Sequence, residues 1–181
     1  FILLVKDNNF NNKLEPLNYD EAIKFFPNYS NEEKLIAYSI LGGIPHYLKQ
    51  FNPNDTLENN IIKNILTKGT ILFDDVDYLI HQELREPAVY NSILEAIAAG
   101  CNTFTEIIDH SKIDSQKITV YLKNLIELGI IKKEFPIQTS IKTKSNNSKG
   151  EYIINDNLFN FYYKYIFPYM GEYELEKINI L

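Results

Sequence analysis

Residues 87–155 constrain the fold most, because the hydrophobic period changes there from helical to alternating within one continuous stretch. The segment opens as PAVYNSILEAIAAG, where Tyr90, Ile93, Leu94 and Ile97 fall at i, i+3, i+4 and i+7 and make one apolar stripe of a helix. Gly100 supplies the stop. Thr103 followed three residues later by Glu106 is a capping box, in which hydroxyl and carboxylate each satisfy a free amide of the first turn. A short second helix through Ile107 and Ile108 follows, then a polar turn from 110 to 114. A third helix has Ile118, Tyr121, Leu122 and Leu125 on one face, and Gly129 stands where a left-handed C-cap is wanted. Two strand-like strings at 130–135 and 152–154 are joined by a polar loop. Helix, short helix, helix and two strands in this order predict a winged helix-turn-helix.

The chain of 181 residues is long enough to bury a real core as one medium or two small domains. It has no apolar run of membrane-spanning length and no basic-then-apolar leader, so no membrane partner and a cytoplasmic setting are expected. The single cysteine, Cys101, excludes an internal disulfide framework. Net charge is −6, unevenly spread. From Lys112 to Lys149 eight lysines face Asp114, Glu127 and Glu134, a local +5 that leaves −11 for the rest. A basic module on an acidic body is the balance of a nucleic-acid-facing unit. Arg85 is the only arginine, so bidentate phosphate contacts are scarce.

Upstream, the chain opens with the apolar string FILLV and no methionine, as a fragment of a longer protein would. Asn18 or Asp20 opens a short helix that stops by Pro27. Ser30 and Glu33 form a second capping box, starting a helix through Leu35, Ile36 and Ile40. Gly42 can cap its end and Pro45 can start the next helix, HYLKQF. Asp55 or Thr56 caps a helix holding Leu57, Ile61, Ile62, Ile65 and Leu66, and residues 71–84 make another with Leu72, Val76, Leu79 and Ile80 inward. After the hairpin, residues 157–169 are apolar nearly all round and must be covered on most sides, by the 87–100 helix and the preceding helical array.

Five blocks resemble a known family: PLNYDEAIKFF (16–26), YSILGGIPHYL (38–48), NILTKGTILFDDVDYLIHQELREPAVYNSILEAIAAG (64–100), YLKNLIELGIIKKEFPI (121–137) and GEYIINDNLFNFYYKYIFP (150–168). They are similar to the C-terminal half of archaeal and bacterial AAA-like P-loop signal-transduction ATPases, in which a nucleotide-binding domain precedes a helical lid and a winged helix, often with a nuclease-like C-terminal domain. The last block carries Tyr162, Tyr163 and Lys164 where that family's tryptophan and arginines stand. The resemblance implies a mainly α fold with a small β wing: the end of an ATPase core and a lid-like bundle in 1–86, then a winged-helix domain with an aromatic C-terminal helix in 87–181.

It also implies ATP and magnesium in the parent protein, although the chain itself has neither a G-x-x-x-x-G-K-[ST] loop nor a strand ending in a Walker-B acidic pair. This segment is therefore expected to be non-catalytic and to hold no cofactor alone. By resemblance, Gly42, Gly43, Ile44 and Pro45 would close over nucleotide held by the upstream P-loop domain, with His46 beside them. Paired glycines permit close backbone approach, and proline offers a flat apolar surface without a donor. A helix C-cap followed by an N1 proline explains the same four residues.

The third helix of the 87–155 stretch would be the recognition helix. Its outward residues Ser115, Gln116, Lys117, Thr119, Val120, Lys123 and Asn124 could meet base edges, while Lys132, Lys142, Lys144 and Lys149 could meet phosphate. Glu127 also faces outward, and a lysine-rich solvated loop accounts for the last three lysines. Three functions follow: an ATPase arm coupling nucleotide state to double-stranded DNA or a protein, a free-standing DNA-binding regulator, or a docking module for a nuclease-like domain. Asp74, Asp75, Asp77 and His81 read as a solvated helix face, because a metal site needs ligands converging from more than one element.

Overall fold

The computed structural model describes residues 15–135 and 150–174, and its backbone packing divides the chain into two units, Phe1–Asp75 and Val76–Leu181. The division passes through a helix.

In the first unit, α1 (Tyr19–Ala22) is capped by Asn18, whose side chain and that of Glu21 satisfy each other's backbone amides; a 3-10 turn (Ile23–Phe25) continues it. Next, α2 (Asn31–Leu41) starts with the same device, Ser30 with Glu33. It ends at Gly42, whose φ of 61° combined with ψ of −151° only glycine adopts without strain. The short α3 (Pro45–Leu48) has its proline at the position where a missing amide costs nothing. Thr56 caps α4 (Leu57–Asn64), and α5 (Ile71–Glu83) begins in this unit and continues into the second. Phe26, Tyr47 and Leu48 are among the largest fully buried side chains of this unit, and Phe26 stacks on Tyr29 with ring centroids 5.2 Å apart. One buried polar side chain, Asn60, sits in that core.

The second unit contains α6 (Pro87–Ala98), α7 (Phe104–Ser111) and α8 (Ser115–Glu127), then strands β1 (Ile131–Glu134) and β2 (Glu151–Ile154). The Thr103–Glu106 capping box starts α7 and Asp114 caps α8. Between these helices the turn is made at Lys112, a non-glycine residue held at φ 58°. Ile118, Leu122 and Leu125 are buried along one stripe of α8, each contributing about 1.5–3 kcal/mol by leaving water. The strands pair antiparallel, Ile131 opposite Ile154 and Lys133 opposite Tyr152. The Tyr152 amide donates to the Asn102 carbonyl at 2.8 Å, tying the hairpin back to the α6–α7 loop.

The aromatic segment is one helix for only part of the predicted 157–169 span. Helix α9 (Asn157–Tyr165) stops at Ile166, and Phe167–Tyr169 is a 3-10 turn. Pro168 is the cause, because it has no amide for the Lys164 carbonyl. α9 packs on α6 and β2, with Leu158, Phe159, Tyr162 and Tyr163 buried. The Tyr163 hydroxyl donates to Asn91 Oδ1 at 2.7 Å, and burial holds it well above the usual phenol range. A final short helix, α10 (Met170–Glu174), ends the described residues. Those residues are thus mainly helical with one small two-stranded antiparallel sheet.

Candidate functional site

Two places carry the residues singled out from sequence. The first is the α2–α3 connection. Gly42 is the C-cap, its amide donating to the Tyr38 carbonyl at 2.8 Å. Gly43 is buried against the backbone of the segment leading into α1, at Leu17. The Leu17 amide donates to the Gly43 carbonyl at 2.8 Å, and a Cβ on Gly43 would lie 1.8 Å from the Leu17 carbonyl oxygen. Both glycines are therefore used by the fold. What remains open is a small surface: Ile44 is half-buried, whereas Pro45 and His46 are exposed. That patch has no Lys, Arg, Asp or Glu among its three residues.

The second place is the outer side of α8. Ser115, Gln116, Lys117, Thr119, Val120 and Lys123 are exposed, and Val120 is 57% accessible. Asn124 is different: it is half-buried and its amide donates to the Tyr90 hydroxyl at 2.8 Å. Thr119 donates back to the Ser115 carbonyl at 3.2 Å. Lys123 pairs with Glu127 at 3.5 Å, and Lys132 with Glu134 at 2.7 Å. Both pairs are largely exposed, so each is worth little and can be exchanged for a partner's charge. Of these three lysines, only Lys117 has no ion-pair partner among the described residues. Lys142, Lys144 and Lys149 lie outside the described residues.

Beside α8 runs a cleft of about 680 Å³ lined by Glu83, Leu84, Arg85, Glu86, Tyr90, Lys117, Val120, Tyr121, Asn124, Glu127 and Leu128. Periodicity marked α8 but not this cleft, because its far wall comes from the joint after α5, more than 30 residues earlier. Its wall is cross-braced. The Tyr121 hydroxyl donates to Glu86 Oε2, which raises the Tyr121 pKa. The Tyr121 ring meets Tyr90 edge-on at 5.0 Å. Lys133, on the inward face of the hairpin, lays its ammonium 4.6 Å from the centre of the Tyr152 ring and donates to that hydroxyl at 3.0 Å.

The acidic face of α5 does not converge. Asp75 accepts from the Tyr47 hydroxyl at 2.9 Å, Asp74 from the Gly69 amide at 3.3 Å, and Asp77 pairs with His81 at 3.3 Å. Among the described residues no group of three or more His, Cys, Asp or Glu side chains is placed to hold a metal, and no helix is long and apolar enough to cross a membrane.

No protein-family model matches the chain, and no solved structure matches it. The chain is similar to an uncharacterised protein of Methanocaldococcus jannaschii, with 37% identity over 172 residues, 92% of this chain and 38% of that protein. It therefore spans well under half the length of that relative.

Proposed function

We propose that the chain is the lid and winged-helix part of an AAA-like P-loop ATPase, without catalytic machinery of its own, and that it passes the nucleotide state of the ATPase core to a DNA or protein partner. The observation that carries this reading is α8: a helix fixed by one buried stripe, preceded by a short helix and a tight turn, followed by a hairpin, and open along its outer side. That is the presentation a helix-turn-helix needs to offer side chains to a partner. The length of the archaeal relative, of which the chain covers 38%, leaves room for a nucleotide-binding domain. In this reading ATP and magnesium are held by that domain, while Ile44, Pro45 and His46 supply only an apolar surface to the purine.

Between the two partner classes, charge favours protein. On the described outer side of α8 and β1, two of three lysines are already paired with glutamates. Glu83 and Glu86 line the adjoining cleft. Duplex DNA takes its affinity chiefly from neutralised phosphates, and here Glu83, Glu86, Glu127 and Glu134 offset the charge of Lys117, Lys123 and Lys132.

The experiment is nucleotide titration of the natural full-length protein. Replacing Pro45 and His46 by alanine should weaken ATP affinity about threefold to tenfold, up to about 1.4 kcal/mol, with the fold unchanged by circular dichroism. Equal affinity would remove the lid contact, and absence of nucleotide binding in the parent protein would remove the ATPase reading.

A further inference from the structure

The joint between α5 and α6, residues 84–86, ends at Glu86, which like Ile44 before α3 leaves its helix start to a proline. Asn18, Ser30, Thr56, Thr103, Asp114 and Asp156 each use a side chain to cap the helix that follows. Glu86 occupies the equivalent position before α6 but makes no side-chain cap. Pro87 at the first helical position already removes one free amide there, and the Glu86 carboxylate goes instead to the Tyr121 hydroxyl in the middle of α8. Tyr121 meets Tyr90 edge-on, and Tyr90 accepts from Asn124 one turn further along α8. Four side chains thus connect the joint, the first turn of α6 and the centre of α8 across one end of the cleft.

We infer that Glu86 and Tyr121, backed by Tyr90 and Asn124, form a tether that makes the α5–α6 joint and α8 move together. The inference rests on the nucleotide-relay reading for its purpose, since a relay needs a physical path from α5 to the partner-facing helix. α5 begins in the first unit and ends at this joint. Leu84 is buried, whereas Arg85 and Glu86 are exposed beside the cleft, so the contact with Tyr121 is what holds the exposed end of the joint to α8. Glu86 and Tyr121 are positioning residues: they set the orientation of α8 and need not touch the partner.

The test uses this chain alone, by amide hydrogen exchange and amide chemical shifts. Tyr121→Phe keeps the ring and its contact with Tyr90 while removing the hydroxyl, and Glu86→Ala removes the acceptor. Each should speed exchange of the backbone amides in 84–90 at least threefold. The double variant should go no faster than the faster single, because both remove the same link. Glu86→Gln keeps an acceptor oxygen and should stay within twofold of wild type, which separates loss of the contact from loss of the fold. Tyr163→Phe, which breaks a different hydrogen bond on α6, should leave the joint unchanged. Glu86→Ala should also shift the amides of Lys117, Val120 and Lys123 in the wild-type background but not in Tyr121→Phe. Wild-type exchange in the single variants, or independent effects that multiply in the double, would overturn the tether. None of these measurements needs nucleotide, so their failure leaves the relay reading standing. Conversely, a parent protein that binds no nucleotide removes the relay and leaves a measured tether in place.

Discussion

Gly43 and Asn60 are the residues whose identity the fold can least change. At Gly43 the obstacle is backbone, the Leu17 carbonyl 1.8 Å from where a Cβ would sit, so Gly43→Ala must push the Leu17 backbone away and strain its hydrogen bond to the Gly43 carbonyl. We expect a loss of about 1–3 kcal/mol in urea denaturation, the usual cost of overpacking. Asn60 is 1% exposed and its side chain has five hydrogen-bonding partners. Its two N–H donors are shared among the Tyr29 hydroxyl at 2.7 Å and the Asn52 and Thr56 carbonyls at 2.8 and 3.1 Å, and its Oδ1 accepts from the Asn52 amide at 2.7 Å and the Asn64 side-chain amide at 3.3 Å. Asn60→Ala orphans buried partners and should cost about 2–4 kcal/mol by the same measurement. The sequence shows the two residues unequally. The glycine pair stands out, although a nucleotide-facing motif and a helix end with a backbone crossing are indistinguishable there without coordinates. Asn60 carries no signal, because an asparagine beside Leu57 and Ile61 looks like any polar break in an apolar stripe.

Helix starts are the most legible elements. A cap is a contact among four consecutive residues, so Ser30 with Glu33 and Thr103 with Glu106 are visible in the bare string and form as expected. The same hydrogen bonds hold the Glu33 and Glu106 carboxyls below their ordinary range. Asp55, ahead of α4, is lowered to about 2 by its hydrogen bond with Lys63, 2.6 Å away, and by Asn59. A depressed carboxylate stabilises the fold above its unfolded pKa, and that contribution fades as pH falls toward the folded value. The fading for Asp55 therefore lies between pH 3.8 and about 2. Carbon-detected NMR should place the Asp55 midpoint near 2, and Lys63→Met should return it toward 3.8. Elements that depend on distant residues are less legible. α3 is a single turn rather than the longer HYLKQF helix, and the tie from Tyr152 to Asn102 spans 50 residues.

At the scale of the whole molecule, we read the chain as a passive arm whose working surface is the outer side of α8. Removing the valine there should affect partner binding while sparing the fold. Val120→Asp should leave the unfolding midpoint within about 0.5 kcal/mol, as for exposed sites generally. Leu122→Ala, one stripe round the same helix, should cost about 2–5 kcal/mol because Leu122 is 2% exposed. If a protein rather than DNA is the partner, its binding should change little between low and physiological salt, since glutamates offset the described lysines of this face. The helix order of this unit can be read from period and punctuation. The cleft and the brace of Tyr121 on Glu86 cannot, because they join positions 35 residues apart.

The nucleotide relay is tested most sharply by hydrogen exchange of the natural full-length protein with and without a non-hydrolysable ATP analogue. We expect protection of the amides around Ile44 and His46 on nucleotide binding, together with altered exchange in the exposed half of α8. Bound nucleotide with both regions unchanged would contradict the relay.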